Sequence, residues 1–153
     1  MSAPLTWDQV TEGDVLPELA VDVTATTVVL GALASRDWRP MHHDYKFATE
    51  RNGLQDIFLN TPNQAAWFER FLTDWSGPTG RIGRMTFRMR TSVYPDDRMV
   101  FRATVTDTSV DATGCGWVGV EIIPVSYTHL TLPTRCHRCR SRWSACHYKG
   151  GGG

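Results

Sequence analysis

The sequence predicts an α+β domain in which an antiparallel sheet wraps around one long helix. Three observations point there. One strongly patterned helix, Thr61 to Trp75, has a proline start and a glycine-proline stop. After it the apolar period changes from helical spacing to two, and stays there through successive segments. The length, 153 residues, suits one domain with a real core and is short for two.

The elements follow in chain order. Trp7 to Pro17 reads as an opening segment that ends in the turn "EGDVLPEL". Ala20 to Thr26 alternates, with Val21, Val23 and Ala25 on one side and Asp22, Thr24 and Thr26 on the other, which predicts a half-buried strand. Thr27 to Ala34 is small and apolar and predicts a short helix into the loop "RDWRP". Pro40 bars a regular helix there and biases Arg39 towards extended backbone. In the long helix Thr61 is the expected N-cap, Pro62 the first helical residue and Gln64 the partner of a capping box. Phe68, Phe71, Leu72 and Trp75 share one face, and Gly77-Pro78 ends the helix. Met85, Phe87 and Met89 then alternate with arginine and threonine. "YPDD" turns the chain, Met99, Phe101, Ala103 and Val105 alternate again, "DATG" turns it once more, and Val118, Val120 and Ile122 open a third strand.

Charge and cysteine usage divide the chain unevenly. Residues 1–123 hold 11 Lys and Arg against all 16 Asp and Glu, with Cys115 as their one cysteine. That composition suits a mildly acidic domain in a reducing, cytoplasmic setting. No apolar run approaches the length of a membrane span, and no basic stretch followed by an apolar one opens the chain, so neither a membrane segment nor a signal peptide is expected.

Residues 124–153 carry five basic residues and no acid, and the remaining cysteines Cys136, Cys139 and Cys146. With His147 these make C-x2-C-x6-C-H, a spacing that suits zinc among basic residues that suit nucleic acid. A different origin accounts for more of the segment. "VSYTHLTLPT", Val125 to Thr134, resembles translated transposon-derived sequencing-adapter DNA, and Cys139 to Ser144 resembles the far end of the same adapter. The closing Gly150 to Gly153 resembles a terminal guanine run. The expected organisation is therefore a domain over 1–123, cut before its last strand, and a non-native tail over 124–153 with Pro124 at the junction. Neither a metal site nor a nucleic-acid partner is expected.

The chemistry concentrates in "DWRPMHHD", Asp37 to Asp44. Asp37 and His42 are five residues apart, which on a regular helix would set them roughly 140° apart. On a proline-bent loop they can converge. A carboxylate and an imidazole sharing one water form a general acid/base pair that works near neutral pH. Composition alone favours the plainer alternative, a solvated surface loop.

The wording of the loop changes that balance. Asp37-Trp-Arg-Pro-Met-His42-His-Asp44 resembles the D-x-N-P-x-H-x-D signature of the MaoC-like, R-specific enoyl-CoA hydratases, which have the hot-dog fold. "GDVLPEL" and "SVYPDDRM" resemble two further family segments. "ALASRDW", "HHD", "DIFLN" and "FLTDWSGP" resemble the small-subunit branch of actinobacterial steroid side-chain enoyl-CoA hydratases. The similarity runs through nearly all of residues 5–123. It implies hydration of a 2-enoyl-CoA thioester, or the reverse dehydration, with Asp37 and His42 as the catalytic pair and no cofactor. It also implies a homodimer, or a heteromer with a second hot-dog hydratase subunit; the alternative is a non-catalytic subunit that completes a partner's site. The thioester oxygen needs hydrogen-bond donors, and the backbone N–H groups at Asn60 and Thr61, opening the long helix, are the candidates. Two positions depart from the family. Arg39 stands where the signature has Asn, and Leu59-Asn60-Thr61 replaces the usual His-Gly. His43 is expected exposed, Asp44 bracing the loop, and Trp38 and Met41 in the core or pocket wall. The Arg84, Arg88 and Arg90 face is expected to be a solvated strand face.

Overall fold

The computed structural model describes residues 5–89, 91–128, 131–135 and 139–145, with side chains as far as Tyr127. Strand β1 (Leu19–Asp22) leads directly into helix α1 (Ala25–Ala34). A 3-10 turn, Pro40–His42, and a π-helical turn, Phe47–Arg51, carry the chain to helix α2 (Thr61–Ser76). Strands β2 (Arg81–Thr86), β3 (Arg98–Val110), β4 (Gly116–Thr128), β5 (Thr131–Arg135) and β6 (Cys139–Ala145) follow. The sheet order is β1-β3-β4-β6-β2, with β5 pairing β4. Every named pairing is antiparallel.

The sheet presents its alternating apolar residues to α2. Met99, Phe101, Ala103 and Val105 of β3 and Val118, Val120 and Ile122 of β4 are all buried, as period-two spacing requires. They meet Phe68, Phe71 and Leu72 from the apolar stripe of α2 in one core. Phe101 is its hub: its ring packs edge-on to Phe68 at 5.2 Å between centroids and lies 6.0 Å from Phe71. Phe87 stacks on Phe68 at 5.4 Å. Phe87 and Met89 pack against the core although β2 ends at Thr86.

The long helix starts one residue earlier in its capping scheme than the pattern suggests. Asn60, not Thr61, is the N-cap, and its side chain accepts from the Asn63 N–H. Asn caps as well as Thr, and Pro62 is tolerated within the first turn. Gln64 then has no cap N–H to reach; it is buried and its amide donates to the Leu59 carbonyl. The stop is as expected: Gly77 adopts φ 71°, and its N–H donates to Thr73 O. The strand expected over 20–26 is shorter, because Thr24 caps α1 by accepting from the Thr27 N–H and so turns the last residues into helix.

The sheet does not stop near Ile123. β4 runs on to Thr128, and β6 fills the slot between β4 and β2, pairing Val118 with Trp143 and Ile82 with Trp143. A ladder is made by backbone groups, so an open slot between two strands accepts any segment free of proline that can lie extended. Within "CRSRWSA" Trp143, Ser144 and Ala145 alternate apolar and polar. Cys115 is disulfide-bonded rather than a lone thiol. The β4–β6 ladder sets Gly116 opposite Ala145.

Candidate active site

The site forms where the 35–44 loop meets the N-terminal end of α2. Backbone bonds shape the loop. The Asp37 N–H donates to Ala32 O, the His42 N–H to Arg39 O and the Asp44 N–H to Pro40 O. Arg36 sits at φ 54°, the left-handed turn that lets the chain leave α1 sharply. Pro40 begins the 3-10 turn that points His42 inward.

Asp37 and His42 converge. His42 Nε2 lies 3.5 Å from Asp37 Oδ2, with 4% and 9% of the two side chains exposed. That separation is long for a direct hydrogen bond and suits two groups facing one water. His42 Nδ1 is 2.7 Å from the Phe58 carbonyl oxygen. A carbonyl only accepts, so Nδ1 carries a proton and donates to it, and Nε2 is the ring nitrogen turned towards Asp37. The Phe58 ring sits edge-on to the imidazole at 4.6 Å and holds its plane.

Asp37 is held on every side. Its Oδ1 accepts from Arg39 Nε at 3.1 Å and from the Arg39 backbone N–H at 3.4 Å. Its Oδ2 accepts from Asn60 Nδ2 at 3.3 Å. Burial raises the carboxyl pKa and is the largest single influence, but the Asn60 amide, the Arg39 N–H, His42 and the Arg39 guanidinium together outweigh it. The result lies below the ordinary aspartate value, so Asp37 is a carboxylate at neutral pH.

The other singled-out residues divide. His43 is exposed. Asp44 braces the loop, its Oδ1 accepting from the Phe47 N–H at 3.0 Å. Met41 is half-buried, but Trp38 is 65% exposed and is neither core nor pocket wall. Successive residues of extended chain point opposite ways, and Asp37 takes the inward direction. Arg84 and Arg88 are exposed; Arg90 lies outside the described residues. Asn60 is buried and Thr61 exposed, at the start of α2. A shallow groove of ≈ 200 Å³ opens beside them, lined by Phe58, Leu59, Thr61, Gln64 and Met89 among others. Phe58 thus joins the groove to the His42 ring. Ser35 also belongs to the site, its Oγ 2.7 Å from Asn60 Nδ2. Sequence reasoning missed it, since a serine two residues before an aspartate carries no signal of its own. Among the described residues no group of three His, Cys, Asp or Glu could hold a metal ion.

Known proteins place the chain in a family. The chain is 34% identical over 111 residues to the 3-oxo-4,17-pregnadiene-20-carboxyl-CoA hydratase beta subunit of Mycobacterium tuberculosis, covering 72% of this chain and 81% of that one. This chain belongs to the MaoC-like hydratase family. The ChsH1-ChsH2 complex of Mycobacterium tuberculosis matches with a TM-score of 0.76 at 28% identity, over 89% of this chain and 98% of that one. A MaoC-like dehydratase from Rhodospirillum rubrum has TM-score 0.74 at 15% identity, over 92% and 96% of the two chains. The R-hydratase PhaJ1 of Pseudomonas aeruginosa has TM-score 0.73 at 14% identity, over 91% and 84%. The last two show the shared fold alone, the hot-dog with its sheet around one helix. No family model matches the chain. Among the described residues no helix is long and apolar enough to cross a membrane.

Proposed function

We propose that the chain catalyses hydration of a 2-enoyl-CoA thioester to a 3-hydroxyacyl-CoA, or the reverse, with Asp37 and His42 as the catalytic pair. The observation that carries this is the facing of two nearly buried groups, the Asp37 carboxylate and the His42 imidazole, across 3.5 Å. A water seated beside Asp37 Oδ2 and His42 Nε2, within reach of both, bonds through its oxygen to the β carbon of the substrate. Its proton passes to the pair, and the pair returns a proton to the α carbon, so the thioester gains one water in total. Asp37 stabilises the imidazolium if His42 takes the proton first. Negative charge gathers on the thioester oxygen, which lies at the backbone N–H groups of Asn60 and Thr61, the positive end of α2. The acyl chain follows the groove past Thr61 and Gln64.

The relative named for a pregnadiene carboxyl-CoA supports a bulky, steroid-sized acyl-CoA as substrate. The named relatives also support a second hot-dog hydratase subunit as partner, since one is a beta subunit and another a two-component complex. The same observation favours a second reading, a non-catalytic subunit that completes a partner's site. The test is loss of enoyl-thioester absorbance with short, medium and steroid-sized acyl-CoA, using the chain alone and mixed with a second hydratase subunit. Hydration that requires the Asp37–His42 pair supports the enzyme. Hydration that survives loss of both groups supports the second reading.

A further inference from the structure

Asn60 does two jobs that normally fall to different residues. Its Oδ1 accepts from the Asn63 N–H at 3.3 Å, which caps α2. Its Nδ2 lies 2.7 Å from Ser35 Oγ and 3.3 Å from Asp37 Oδ2. The side chain is 1% exposed, so water does not compete for these bonds. The amide cannot be turned over. A flip would set Nδ2 against the Asn63 N–H, donor to donor, and Oδ1 against the Asp37 carboxylate, acceptor to acceptor. Ser35 is fixed in its turn, because its hydroxyl donates to Gly31 O at 2.7 Å at the end of α1. Its lone pair is thereby free to take one Asn60 hydrogen, which leaves the other for Asp37.

We propose that the Asn60 side chain is the positioning residue of the catalytic carboxylate, and that Ser35 acts through it. The proposal rests on the hydratase reading for its kinetic consequences. The chain Gly31 C=O, Ser35 hydroxyl, Asn60 amide, Asp37 Oδ2 ties both helices to one oxygen, the same oxygen that faces His42 Nε2. The donor fixes which lone pair of Oδ2 remains for water and keeps Asp37 ionised. The charged and titratable groups facing Asp37 are His42 and Arg39, both from its own loop. From α1 and α2 it meets only the neutral Ser35 and Asn60 groups; neither the α1 sequence nor the first turn of α2 contains an acid.

Asn60→Asp separates positioning from capping. Aspartate caps a helix as well as asparagine does, so a merely structural Asn60 tolerates the change. A positioning Asn60 does not, since the donor becomes a second carboxylate beside Asp37. The variant is made in the full chain, with its partner subunit if hydration requires one. Two readouts are taken. The first is the ¹³C NMR titration of the Asp37 carboxyl, which needs no turnover. The second is the pH profile of enoyl-CoA hydration. The expected result is an Asp37 carboxyl that titrates at least one pH unit higher in Asn60→Asp, with the acid limb of the rate profile moving the same way. At neutral pH kcat should fall roughly ten- to a hundredfold, the worth of one hydrogen bond to a charged group. Ser35→Ala should move the same titration in the same direction by a smaller amount. If Asn60→Asp titrates as wild type at Asp37, the proposal is overturned, whatever the activity. If the NMR shift occurs but the wild-type assembly hydrates no enoyl-CoA, positioning stands and the hydratase reading falls.

Discussion

Gly31 of α1 lies against Asn63 of α2, and Gly31→Ala tests that contact. A Cβ there would lie 1.8 Å from Asn63 Nδ2, 2.5 Å from its Cγ and 3.0 Å from its Cβ. Swinging the amide aside relieves the first two clashes and leaves the third, so α1 and α2 must part slightly. The swing also gives up the bond from Asn63 Nδ2 to Thr27 O, now 3.3 Å. Losing that bond costs about 0.5–1.5 kcal/mol. Crowding costs about 1–3 kcal/mol. Alanine returns up to about 1 kcal/mol of helix propensity over glycine in mid-helix. The balance is a loss of about 0.5–3.5 kcal/mol, a fall in Tm of roughly 1–14 °C for a chain of this size. Thermal melts of wild type, Gly31→Ala, Asn63→Ala and the double variant measure it. In the Asn63→Ala background the added methyl has room, so Gly31→Ala should there be neutral or stabilising. A single variant that melts at or above wild type would refute the reasoning.

Two further outcomes follow from the same structure. Asp37 has a depressed pKa, so its contribution to stability is complete above the ordinary aspartate pKa of about 3.9 and is lost as pH falls through its lower folded value. Asp37→Asn should therefore flatten the acid limb of the stability curve, measured by urea unfolding between about pH 5 and pH 2; parallel limbs would contradict the assignment. We infer that residues 124–153 are adapter-derived and that the native domain continues differently after Ile123. Amplifying the locus from source DNA should give a reading that departs from "SYTHLTLPT", and a genomic reading that continues through it would overturn the inference.

Much of the fold was legible because it rests on periodicity. Met99 to Val105 and Val118 to Ile122 could face only one way once Phe68, Phe71 and Leu72 supplied an apolar stripe to cover. Boundaries were less so. Thr24 and Asn60 moved two of them, because a cap is decided by which oxygen reaches an N–H, and strings of Thr and Asn offer several. The sheet beyond Ile123 was not legible at all, since β6 is held by a backbone ladder that takes little account of side-chain history. At the site, the proline-bent loop allowed Asp37 and His42 to converge, and the resemblance of "DWRPMHHD" to the hydratase signature singled them out. The brace on Asp37 was not legible. Ser35 and Asn60 are 25 residues apart and meet only because α1 packs beside the start of α2. The inward turn of Asp37 that leaves Trp38 exposed likewise follows from that meeting and not from any local pattern.

The central claim is that Asp37 and His42 act as one unit on one water. Turnover of a 2-enoyl-CoA by the full chain with any obligate partner is the direct measurement, in wild type, Asp37→Asn, His42→Ala, their double variant and His43→Ala. Each of the first two should cut kcat by about 10²–10⁴. The double variant should be little worse than either, since groups acting together are not additive, and His43→Ala should stay near wild type. Near-wild-type turnover in Asp37→Asn with a dead His43→Ala would contradict the account.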